Sequence, residues 1–166
     1  TTVNNQTYTV MFGEADGTYN LENSPEVINV GSKRVYYKVT APNHEPKTGS
    51  ILITVNAKSL TVTWTGTTFT YDGNAKHSTA SVNTGVNGET IKFTYVVKAK
   101  SGSSVVNGQA INVGNYTVTA TATVEGGQAN INNYSLSPLS KDFSIGKASI
   151  EPTVTMAGYT YGGTKS

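Results

Sequence analysis

The stretch Thr117-Val118-Thr119-Ala120-Thr121-Ala122-Thr123-Val124 alternates hydroxyl and apolar side chains without a break. Successive side chains of a strand point to opposite faces, so this period of two predicts a half-buried β-strand with its threonines outward. The stretch from Val35 to Thr40 alternates in the same phase, with Val35, Tyr37 and Val39 expected inward and Tyr36, Lys38 and Thr40 outward.

These two stretches belong to a longer self-similarity. Residues 1–41 lie on residues 84–124 at an offset of 83, and Ile28-Asn29-Val30-Gly31 recurs unchanged as Ile111-Asn112-Val113-Gly114. From Ile53 onward the offset is 90: Val55, Ser59 and Leu60 match Ile145, Ser149 and Ile150, and Phe69-Thr70-Tyr71 matches Tyr159-Thr160-Tyr161. The slip marks a longer loop, Glu125 to Pro138 against Pro42 to Ser50, and surface loops absorb such insertions. The implied unit is about ninety residues. Residues 1–58 then form the later part of a first unit, 59–148 a complete second unit, and 149–166 the opening strand of a third.

Strand alternation continues through Leu60, Val62 and Trp64, through Ile91, Phe93 and Tyr95, matched by Tyr8, Val10 and Phe12, and through Ile51, Ile53 and Val55. Turn chemistry separates these runs. Gly31 and Gly114 are expected at positive φ, and Asp72-Gly73, Asn87-Gly88 and Asn107-Gly108 are hairpin signals. Tyr116 and Tyr134 are expected to pack down while Asn115 and Asn133 bond local backbone. No window carries a helical period with caps. Short strands at intervals of about 8 to 12 residues point to an all-β fold of tandem immunoglobulin-like or fibronectin-like sandwiches, with β-grasp-like units as the alternative.

Composition narrows the partners. The 166 residues hold no Cys, 17 Gly and 5 Pro, and 13% are charged where about 25% is usual. A net charge of +2 with Lys33-Arg34 as the only adjacent basic pair gives no footprint for nucleic acid. No apolar stretch approaches the roughly 20 residues that span a bilayer, so no membrane insertion is expected.

Several of these pieces resemble a known family. Phe69-Thr70-Tyr71-Asp72-Gly73, Ile111 to Val118 (INVGNYTV), Asn133-Tyr134 and Phe143 to Ala148 (FSIGKA) are similar to the MBG and YDG type repeats of large bacterial surface proteins, as is Val35 to Gly49 (VYYKVTAPNHEPKTG). The resemblance implies a non-enzymatic module of an adhesin-like protein, extracellular and attached to the cell wall through regions outside these residues. Neighbouring repeats and a host or surface glycan or protein are the partners it implies. Gly162 stands where the second unit has Asp72, so the fold does not require that carboxylate.

The residues assign no catalytic, cofactor or metal site. His44 and His77 are each in a polar context and share no position between units. Glu14, Asp16, Asn20 and Glu22 around Gly17 offer oxygen ligands of the kind Ca²⁺ takes, but their spacing departs from the EF-hand loop, and an acidic loop in water is the simpler reading. For a carbohydrate-binding module, the rival function, Trp64 falls in the inward phase and Tyr36 is the better exposed aromatic. A Lys-Asn amide staple stays open, as do sequons at Asn5, Asn115 and Asn133. The third reading is a filament subunit: the tail 149–166 supplies part of the segment that the first unit lacks, so copies could join head to tail by a donated strand.

Overall fold

A computed structural model describes residues 2–3, 6–102, 110–127, 129–155, 158 and 161–162. Asn5 and the Asn107-Gly108 turn lie outside the described residues. Thirteen strands follow in order: β1 Thr2–Val3, β2 Gln6–Thr7, β3 Thr9–Gly13, β4 Gly31–Thr40, β5 Lys47–Val55, β6 Lys58–Thr61, β7 Thr63–Thr65, β8 Thr68–Thr70, β9 Thr79–Ser81, β10 Thr90–Ala99, β11 Gly114–Glu125, β12 Tyr134–Ser137 and β13 Ser140–Gly146. The one helical element among the described residues is a 3₁₀ turn, Ile131–Asn133, capped by the Asn130 side chain. The fold is all β.

The deciding stretch becomes β11, where Tyr116, Val118 and Ala120 are buried, Ala122 and Val124 half-buried, and Thr119, Thr121 and Thr123 between them exposed. It is the second strand of a four-stranded sheet ordered β10-β11-β13-β8, antiparallel except for the β13–β8 pair. The core beneath this sheet holds Val97, Ala110, Tyr116, Val118, Phe143 and Ile145. β7 closes it from the other side by bringing Trp64 edge-on to Tyr95, ring centroids 6.3 Å apart. Phe69 of β8 meets Phe143 edge-on at 5.8 Å. Tyr95 also ties the layers together, because its hydroxyl accepts from Ala80 N (2.9 Å) and donates to Ala80 O (3.3 Å) in β9.

The first sheet, β3-β4-β5, repeats part of this arrangement in register. Thr9 faces Thr40 as Lys92 faces Thr123, a shift of 83 on both strands, and Gly31 faces Val55 as Gly114 faces Ile145, shifts of 83 and 90. The two offsets that align the sequence also align the ladders. What sits on them differs. Val35 is buried as Val118 is, but Glu14 and Lys33, an ion pair, occupy the positions of Val97 and Tyr116.

Four expectations are corrected. Ile51, placed inward by its alternation, is 59% exposed, because among the described residues no second sheet packs over that end of β5. Tyr36 is half-buried within the ladder rather than free on the surface. The run Leu60-Val62-Trp64 is two strands: Val62 is buried at a break where its N–H bonds Ser137 O (2.9 Å), and the chain passes from a parallel pairing with β12 to an antiparallel one with β9. Gly31 takes positive φ (+144°), but Gly114 does not; a Cβ there would meet the Tyr116 ring at 3.3–3.4 Å, so the ring's cover is what favours glycine.

Candidate functional site

Asn133 and Tyr134 end the 3₁₀ turn and open β12, and this places their side chains in opposite roles. Tyr134 packs down, buried, and its hydroxyl donates a short hydrogen bond to Glu89 Oε2. That bond and the surrounding burial hold the phenol's pKa above its ordinary 10.0. Glu89 is itself buried at the end of a tight turn, where Thr84 Oγ1 donates to its carbonyl (2.9 Å). Gly127, at φ +50°, leaves the room: a Cβ there would lie 2.5 Å from Glu89 Cγ.

Asn133 reaches outward instead. Its Oδ1 accepts from Val30 N (2.9 Å) and its Nδ2 donates to Asn29 Oδ1 (2.9 Å), more than a hundred residues back in the chain. The expectation of a local backbone bond is therefore wrong for this asparagine. The 3₁₀ turn aims its side chain away from its own backbone, and the Ile28-Asn29-Val30-Gly31 segment receives it. A groove of about 240 Å³ runs along the contact, with Ile28, Val30 and Val55 on one wall and Val86, Glu89 and Tyr134 on the other. Only Asn56 and Ala57 separate the last strand of the first sheet from β6. The site is a junction in which a carboxamide clasp and a two-residue linker tie the segment around the first three-stranded sheet to the strands that follow it.

The remaining candidates are dispersed. Trp64 is turned to the core and its indole N–H donates to Pro138 O (3.0 Å), so its face does not front solvent for a sugar. His44 Nδ1 bonds Pro42 O (2.7 Å), and His77 Nδ1 bonds Ser78 O (2.9 Å) while its ring lies 4.7 Å from that of Tyr95. Glu14 is engaged by Lys33, and Asp16 accepts from Tyr19 Oη (3.1 Å); among the described residues no group of three or more acidic, His or Cys side chains is placed to hold a metal. Lys58, Asn133 and Glu89 do line one groove, the residue types of a Lys-Asn staple. But Lys58 is exposed, and both ends of the Asn133 carboxamide are hydrogen-bonded across the junction. Amide formation needs a desolvated amine against a free carboxamide carbon.

Two acidic positions outside the junction are each paired with a lysine. Asp142 on β13 receives Lys100 Nζ (2.5 Å) and Thr117 Oγ1 (2.6 Å), and these bonds, the lysine's first, hold its pKa below the ordinary 3.8. Asp72 is lowered in the same sense, by Lys76 first and then by the Asn74 N–H that it caps in the Asp72-Gly73 turn.

No protein-family model, no curated protein and no solved structure matches the chain. Among the described residues no helix is long and apolar enough to cross a membrane.

Proposed function

We propose that this chain is a non-enzymatic run of tandem β units from a bacterial cell-surface protein, acting outside the cell as a spacer that carries adhesive regions away from the surface. The observation that carries this reading is the Asn133 clasp on Asn29 and Val30 across a two-residue linker. A linker that short limits rotation between units, and the two side-chain bonds select one orientation. We read residues 59–148 as one complete immunoglobulin-like or fibronectin-like sandwich, which the core between the four-stranded sheet and β7 supports, with 1–58 as the later part of a preceding unit and 149–166 as the opening strand of a third. The similarity of Phe69 to Gly73, Ile111 to Val118 and Asn133-Tyr134 to MBG and YDG type repeats supports the surface role.

Small-angle X-ray scattering on the chain tests the spacer. Curves that superpose between about 0.1 and 1 M salt and fit one rigid particle are expected, because the clasp is uncharged and screening leaves it intact. Curves that demand a broad ensemble of inter-unit angles would remove the mechanical role.

A further inference from the structure

The wall that receives Asn133 has parts that occur twice in the fold. Ile28-Asn29-Val30-Gly31 and Ile111-Asn112-Val113-Gly114 are the same four residues, and both take the same course: a bend at Asn and Val, then a strand that starts at Gly, β4 in one case and β11 in the other. Gly31 faces Val55 across its ladder as Gly114 faces Ile145, so the third apolar member of the wall recurs as well. The clasp uses two groups of this segment, the Val30 N–H, which donates to Asn133 Oδ1 (2.9 Å), and Asn29 Oδ1, which accepts from Asn133 Nδ2 (2.9 Å). Among the described residues the matching Val113 N–H and Asn112 carboxamide make no hydrogen bond.

The second segment is held ready. The buried Tyr116 donates from its hydroxyl to Asn112 O (2.7 Å), and Lys100 N donates to Asn115 O (2.9 Å), so the backbone on both sides of Val113 is fixed by its own sheet. Ile111 and Val113 are 45% and 47% exposed, against 58% and 37% for Ile28 and Val30. Apolar side chains set beside an unmet amide donor and a carboxamide form a surface suited to a partner with both kinds of contact.

We propose, building on the reading of the chain as tandem units, that Ile111-Asn112-Val113 is a second receiving site and takes the Asn-Tyr turn of a further β unit, joined after Lys147 as β6 is joined after Ala57. The incoming carboxamide accepts from Val113 N–H and donates to Asn112 Oδ1, and the apolar side chains beside it close over Ile111 and Val113. Two observations name this occupant. The identical segment at 28–31 is seated by such a turn, and a side-chain carboxamide is the group that accepts from an amide N–H and donates to a second carboxamide through one planar end. Ser149 and Ile150 match Ser59 and Leu60 at the offset of 90, so the residues after the second linker open in the pattern of those that carry Asn133. One clasp then serves successive junctions.

The test duplicates residues 59–148 within the full chain, so that 1–148 is followed by 59–166, and follows amide hydrogen exchange by NMR relative to each residue's intrinsic rate. Val30 reports the clasp already described, and the Val113 that precedes the insert reports the proposed one. In the 166-residue chain Val113 is expected to exchange at least tenfold faster than Val30. In the enlarged chain it is expected to slow at least tenfold, and Asn133→Ala in the inserted copy alone to restore the fast rate. Fast exchange at Val113 in the enlarged chain, or slow exchange there without the insert, overturns the proposal. Protection at Val30 in the same spectra leaves the reading of units standing, whereas fast exchange at Val30 as well removes both. If the enlarged chain fails to fold, the 166-residue chain decides, because it has no cysteine of its own. Asn112→Cys chains mixed with Asn133→Cys chains, with oxidised glutathione as oxidant, are expected to link at least tenfold faster than Thr121→Cys chains mixed with Asn133→Cys chains, and equal rates overturn the proposal.

Discussion

Single side chains separate the two matching ladders more sharply than their backbones do. Tyr95 and Phe12 occupy equivalent ladder positions, yet among the described residues only Tyr95 bonds a strand across the core, its hydroxyl bridging Ala80 N and O. Tyr95→Phe leaves both backbone groups of a half-buried strand without that partner and is expected to cost about 1–2 kcal/mol in chemical denaturation. The same logic applies to charge at Asp142. Its folded pKa lies below the unfolded one, so its bonds to Lys100 and Thr117 contribute stability above the unfolded pKa, and that contribution is lost as pH falls through the folded value. The melting temperature is expected to hold from pH 7 to about 5 and to drop below about 4. Asp142→Asn is expected to be less stable than wild type at pH 7 and to lose part of the acid-induced drop; an undiminished drop would place the acid sensitivity elsewhere.

Between elements, the same ladder has different worth in the two sheets. Ile145 is buried against Phe143 and Val118, so Ile145→Ala is expected to cost about 2–5 kcal/mol in urea denaturation, whereas Ile51→Ala, on the exposed stretch of the matching strand, is expected to cost less than about 1. Comparable losses at both sites would mean that the first sheet is covered after all. Strand identity was legible from period two in β10 and β11, and the equivalence of the two ladders from the 83 and 90 offsets, because one follows from local backbone geometry and the other from repetition; which strands pair was not. Exposure at Ile51 was not legible, since alternation states which face a side chain takes and not whether a second layer covers it. Nor does alternation reveal the break at Val62, where one strand changes partners without a change of pattern. The clasp of Asn133 was hidden for a different reason: its partners are brought near only by the folded units, and an Asn-Tyr pair reads locally as a turn.

Over the whole molecule, the account rests on the junction. Val55 to Lys58 passes the chain from β5 to β6, Asn133 reaches back to Asn29 and Val30, and the groove beside them is lined by Ile28, Val30, Val55 and Val86. The recurrence of Ile-Asn-Val-Gly at 111–114 supplies the far end of the second unit with the same receiving sequence. Each neutral hydrogen bond of the clasp contributes about 1 kcal/mol, enough together to bias the orientation tenfold or more. The most direct measurement is therefore the distance distribution between spin labels on Thr48→Cys and Thr121→Cys, both at exposed strand positions of a chain without other cysteines, taken with Asn133 and with Asn133→Ala at low concentration. A single narrow peak that broadens severalfold in Asn133→Ala is the expected result. A broad distribution with Asn133 present, or an equally narrow one without it, would contradict a junction held by this clasp.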